Sequence, residues 1–120
     1  MSDYSIQQVA QQTGVAVSAL RYYDDEGLLP DLKRLPNGHR RFSNDDIAMV
    51  EFLVCLRGTG MPIRDLKHYV SLAQRRGTGE ERCQLLETHR DAVLTKIASL
   101  ESQLEKINAK IQLYHEALGK

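Results

Sequence analysis

Cysteine is scarce in this sequence of 120 residues: there are two, Cys55 and Cys83, far apart and without Cys-x-x-Cys spacing. That argues against a disulfide framework or a zinc knuckle and for thiols kept reduced. Net charge is lacking too, since 16 Lys and Arg are matched by 16 Asp and Glu. Any attraction to a polyanion must then come from local placement of charge. Long apolar runs are missing: the longest stretch free of charge, residues 4–20, carries four glutamines, and no basic segment precedes an apolar one. Neither a membrane span nor a signal peptide is expected, and a cytoplasmic location is. The four histidines, His39, His68, His89 and His115, have no metal-ligand spacing and no Ser, Asp or Cys beside them in a triad pattern. The glycines of "LRGTGMP" end a helix and do not follow a strand, as a phosphate loop would require. Catalysis, a metal and a cofactor are therefore not expected. The length allows one modest core.

What is present is helical periodicity with clear punctuation. Ser5 followed by Gln8 has the form of a capping box, and Ile6, Val9 and Ala10 give a short helix one apolar face before Gly14. A second helix runs from about Val17 through "SALRYYDDE" to Gly27, so the two form a helix-turn-helix signal. The segment "KRLPNGHRRF" follows, holding Lys33, Arg34, Arg40 and Arg41 without an acid. Asn37-Gly38 at its middle predicts a hairpin, because both residues tolerate positive φ. The four cations would then gather in one cluster whose mutual repulsion calls for a polyanion. Beside a helix-turn-helix, such a hairpin reads as the wing of a DNA-binding head.

Ser43 with Asp46 opens a third helix that ends at Gly58 and Gly60, and Pro62 starts a fourth carrying Ile63, Leu66 and Val70 on one face. The last helix is expected to start at Thr78, capped with Glu81, and to run unbroken to Gly119. Leu86, Val93, Ile97, Leu100, Leu104, Ile107, Ile111, Tyr114 and Leu118 form a heptad seam on it, which extended backward includes Arg90 and Cys83. From Glu81 to Leu118 that helix would span roughly 57 Å at about 1.5 Å per residue. A small head cannot cover such a length, so a second copy of the chain is inferred, in a two-fold dimer suited to a palindromic DNA site. The alternative is an amphipathic helix folded back on its own head. The expected organisation is thus an all-α fold with one small β-hairpin. It comprises a winged helix-turn-helix head over residues 1–76 (wing about 30–42, helices about 44–60 and 62–75) and a dimerisation helix over 78–118.

These motifs, "SIQQVAQQTGVAVSALRYYDDEGLL", "NGHRRFSNDDI", "LRGTGMPIRDL" and the long terminal helix, resemble the MerR-type transcriptional regulators along essentially the whole chain. The resemblance implies binding to an overlong promoter spacer, which is distorted on a signal so that RNA polymerase reads both promoter elements. It implies that Ser18, Arg21 and Tyr22 meet the major groove or flanking phosphates, that Arg40 is the wing arginine, and that Asn37 and His39 lie beside it at the backbone; Arg41 joins the expected DNA contacts as part of the cationic cluster. Arg57 falls where the family keeps a basic residue near phosphate, although capping of its own helix end would also account for it. Tyr23 reads as core. Asp24, Asp25 and Glu26 would repel phosphate and should point away from the duplex.

For the signal, the resemblance narrows the choice. Metal-sensing relatives carry cysteines just beyond the dimer helix, where this sequence has Gly119-Lys120, and Thr78 stands at the start of the helix; soft-metal coordination is not expected. No large ligand-binding domain is expected after the helix either. Cys55 in "FLVCLRGTGM" is placed as in the thiol-based NmlR- and AdhR-like subgroup that responds to aldehydes or nitrosative stress, and Arg57 beside it would favour a nucleophilic thiolate. The competing reading of Cys55 is a small buried core residue. Two other functions fit parts of the sequence: an excisionase-like or architectural winged-helix protein, which needs no long helix, and a coiled-coil adaptor, which needs no cationic wing.

Overall fold

The computed structural model describes residues 3–120. Its elements are α1 (Ile6–Thr13), α2 (Val17–Asp25), β1 (Lys33–Arg34), β2 (Arg40–Arg41), α3 (Asn44–Gly58), α4 (Ile63–Ala73) and α5 (Gly79–Leu118). The fold is mostly helical with one two-stranded antiparallel hairpin, as expected. The chain divides into two compact units, one ending at Arg82 and the other covering Cys83–Lys120.

Local chemistry sets the helix starts of the first unit. Ser5 and Gln8 form a reciprocal capping box on α1, and Ser43 and Asp46 form one on α3. Gly14 ends α1 in the left-handed conformation at φ 76°, which a side chain would strain. The first unit's core is filled by Val9, Leu20, Leu28, Phe42, Val50, Leu53, Met61, Leu66 and Leu72, all essentially inaccessible. Each contributes on the order of 2 kcal/mol by leaving water. Phe42 is also fastened through its backbone: it exchanges two hydrogen bonds of 2.8 Å with Tyr4, a bridge that tethers the segment before α1 to the end of the hairpin.

Thr78 departs from its expected role. Instead of capping α5 with Glu81, its hydroxyl points at the carbonyls of Leu72 (2.6 Å) and Arg75 (3.0 Å) at the end of α4, and it accepts a hydrogen bond from Arg82 Nε at 3.1 Å. Thr78 is 5% exposed, so carbonyls left over at the end of a helix outcompete the cap.

The helix α5 has 40 residues, roughly 60 Å at about 1.5 Å per residue. None of its side chains is buried among the described residues. Ile97, Leu100, Leu104, Ile107, Ile111, Tyr114 and Leu118 are all exposed, as are Leu94, which flanks the expected seam, and Leu113, which lies on another face of the helix.

Candidate nucleic-acid interface

The second helix is amphipathic, with one face buried and one exposed. Leu20 and Tyr23 are buried, while Ser18, Arg21 and Tyr22, spaced i, i+3 and i+4, share the exposed side. Ala16 precedes α2 and offers no side-chain cap, in contrast to α1 and α3, so the first N–H groups of α2 are left without a side-chain acceptor. Such a helix start favours an anionic oxygen. Tyr23 packs as expected of a core residue. Burial pushes its hydroxyl above the usual 10.0, an effect that the Arg57 guanidinium partly offsets.

The hairpin turns at Asn37 and Gly38 as expected, through a loop one residue longer than the pair itself. Lys33 pairs with Arg41 and Arg34 with Arg40. Leu35 N–H donates to the His39 carbonyl and Gly38 N–H to the Leu35 carbonyl, both at 2.8 Å. The loop is therefore the three residues Pro36, Asn37 and Gly38, and only Gly38 takes a positive φ, 87°. Asn37 keeps a negative φ; its Oδ1 accepts the His39 N–H at 3.0 Å and so stiffens the tip. A shallow groove of about 190 Å³ brings the hairpin and both helices together. It is lined by Ser5, Ile6 and Gln7 from the start of α1 and its cap, by Arg21 from α2, and by Leu35, Gly38, His39, Arg40 and Arg41.

The expected cationic cluster needs correction in one respect. Arg34 and Arg40, opposite each other across the strands, share a carboxylate within the chain: Asp24 Oδ2 accepts from Arg34 Nη2 at 2.8 Å and from Arg40 Nε at 2.6 Å. Asp25 Oδ1 adds a longer contact of 3.4 Å to Arg40 Nη2. The acidic end of α2, read from sequence only as a repeller of phosphate, thus holds the hairpin. Arg41 is tied as well, donating through Nη2 to the Asp3 carbonyl at 2.9 Å.

The third helix carries Arg57 and Cys55. Arg57 Nη1 reaches the Met61 carbonyl at 3.4 Å, in the segment after α3 and not among the helix's own last carbonyls. Cys55 is exposed, so it is not the buried core residue of the competing reading. Arg57 lies two residues along α3 from Cys55. Residues two apart on a helix point to different faces, and its guanidinium is engaged with Met61 and acts on Tyr23. Among the described residues no three His, Cys, Asp or Glu side chains gather as a metal site would need, and no helix is long and apolar enough to cross a membrane.

With this geometry established, the likeness to known proteins is specific. Residues 4–72 match the family model described as MerR HTH family regulatory protein. An uncharacterized HTH-type transcriptional regulator of Haemophilus influenzae is 35% identical over 115 residues, 95% of this chain and 85% of that protein. The HTH-type transcriptional regulator AdhR of Bacillus subtilis is 41% identical over 68 residues, 57% of this chain and 49% of AdhR. Among solved structures, HiNmlR, a MerR family regulator lacking the sensor domain and bound to promoter DNA, superposes with a TM-score of 0.88 at 34% identity over 99% of this chain and 92% of that one. A MerR family transcriptional regulator from Bacillus thuringiensis gives 0.83 at 35% identity over 92% and 97%. This chain belongs to the MerR family of helix-turn-helix regulators, DNA-binding proteins that control transcription and are not enzymes.

Proposed function

We propose that the protein binds a palindromic promoter element as a homodimer, through the exposed face of α2 and the hairpin, and distorts the spacer so that RNA polymerase can use it. In this reading residues 1–76 are the DNA-binding head and residues 78–118 the dimerisation helix. The observation that carries it is the shared groove lined by Arg21 of α2 and by His39, Arg40 and Arg41 of the hairpin. Ser18, Arg21 and Tyr22 would meet base edges or flanking phosphates, and Asn37, His39, Arg40, Arg41 and Arg57 the backbone. The exposed stripe on α5, from Ile97 to Leu118, supports a partner helix. Neither an architectural protein nor an adaptor needs both surfaces.

The test is DNA affinity across a salt series. Arg21→Ala should cost about 1 to 3 kcal/mol if it contacts a base. Arg40→Ala should weaken binding to every sequence and flatten the dependence of log affinity on log salt by about one unit. No change with either variant would remove α2 and the hairpin from the interface.

The signal in this reading is an electrophile received at Cys55. Its exposure on α3 supports access, and the thiol would add to an aldehyde carbonyl carbon while the carbonyl oxygen takes up a proton. The adduct would bias one arrangement of the dimer and so change promoter output more than DNA affinity. Transcription in vitro with and without formaldehyde checks this: Cys55→Ser should lose the response and Cys83→Ser retain it. An unchanged response in Cys55→Ser would remove the sensor role and leave DNA binding standing.

A further inference from the structure

The carboxylates at the end of α2 are misplaced by the standards of a helix. Its last residues, Asp24 and Asp25, and the following Glu26 put negative charge where the helix dipole is already negative, and no basic residue occupies the last turn. Each is answered from elsewhere in the chain: Glu26 by Lys67 at 3.1 Å, Asp25 by Arg40, and Asp24 by two arginines on one oxygen. The side chains of Asp24 and Arg40 are only 14% and 17% exposed, so their attraction is less diluted by water than that of a surface pair. Arg34, at 49%, remains close to solvent.

We propose that Asp24 is a positioning residue for DNA binding: its carboxylate fixes the hairpin against α2 and withholds Arg34 and part of Arg40 from phosphate. This rests on the reading of α2 and the hairpin as the DNA-contacting surface. Asp24 lies three residues beyond Arg21, so the spacing between reading face and wing is set before DNA arrives. Any duplex offers the wing its phosphates, and those must compete with the carboxylate for the same N–H groups. Arg40 engages Asp24 and Asp25 through one N–H each on Nε and Nη2, which leaves the two N–H groups of Nη1 and one of Nη2 for the DNA backbone. Arg34 is held by Asp24 and by its own bond to the Gly38 carbonyl at 3.2 Å. The latch thus lowers affinity for arbitrary sequence and leaves discrimination to α2.

The experiment measures binding by fluorescence anisotropy across a salt series. One probe is a random-sequence duplex, and the other a palindromic duplex selected from a random pool by the wild-type protein. Asp24→Asn keeps an oxygen acceptor and removes the charge. It should bind both duplexes about 10-fold tighter at low salt, with a log–log slope steeper by about one unit for each arginine released. Adding Arg34→Gln to Asp24→Asn should take back about one unit. A folded Asp24→Asn protein, judged by circular dichroism, with an unchanged slope would overturn the proposal. If Asp24→Asn does not fold, Arg34→Gln alone decides: an unchanged random-duplex slope is expected, and a loss of about one unit would overturn the latch. Arg21→Ala runs alongside. If it still weakens the selected duplex while the latch fails, only the Asp24 role falls; if it has no effect, the interface reading falls and takes the latch with it.

Discussion

Replacing Leu104 by Asp tests the role given to α5. Leu104 lies in the middle of the apolar stripe and is 53% exposed in the single chain. Full burial of a leucine is worth about 2 kcal/mol, so covering its exposed half contributes about 1 kcal/mol per copy, counted twice in a symmetric dimer. An aspartate there must also shed water without a partner, at about 1 to 3 kcal/mol per copy on the scale of buried polar groups. The dimer should therefore weaken by about 4 kcal/mol or more, roughly a thousandfold in dissociation constant. Sedimentation equilibrium reads this directly. The neighbouring Gln103→Asp, one residue off the seam, should leave assembly within a few fold. A wild-type protein that is monomeric at micromolar concentration, or a Leu104→Asp protein that dimerises normally, would refute the assignment of α5 to dimerisation.

Two further expectations concern stability. Thr78→Val removes the hydroxyl that reaches the carbonyls at the end of α4 and accepts from Arg82, and should cost about 1 to 3 kcal/mol, visible as a lower Tm in thermal unfolding. The Tyr23 hydroxyl ionises at higher pH in the folded chain than in the unfolded one, so its share of stability is complete below pH 10.0 and is lost as pH rises through the folded value. Urea unfolding of Tyr23→Phe should accordingly show a shallower decline above that pH than the wild type, and identical declines would contradict the assignment.

Features written in neighbouring residues were legible in the sequence. The capping boxes at Ser5 and Ser43 join residues three apart, the glycine stops follow from φ, and the seam on α5 follows from period alone. Where contacts joined distant residues, the reading fell short. Asp24 meets its arginines ten and sixteen residues away, and Tyr4 meets Phe42 across the whole head, so neither pairing has a local signature. Thr78 matched a capping pattern, yet carbonyls three and six residues back hold its hydroxyl. For Cys55 the signal was present. Ile47, Val50, Leu53 and Leu56 repeat every three residues and are buried, and Cys55 lies two beyond Leu53, off that stripe. The same rule separates Cys55 from Arg57. The thiol's candidacy therefore rests on exposure rather than on a neighbouring cation.

The central claim is that the face of α2 and the hairpin read DNA sequence as a pair of heads. Its most direct measurement is the affinity of the wild-type protein for a palindromic duplex selected from a random pool, against a random duplex of equal length at one salt concentration near physiological. The account predicts a preference of about a thousandfold or more, lost when one half-site is scrambled. Equal affinity for the two duplexes, or indifference to the second half-site, would contradict it.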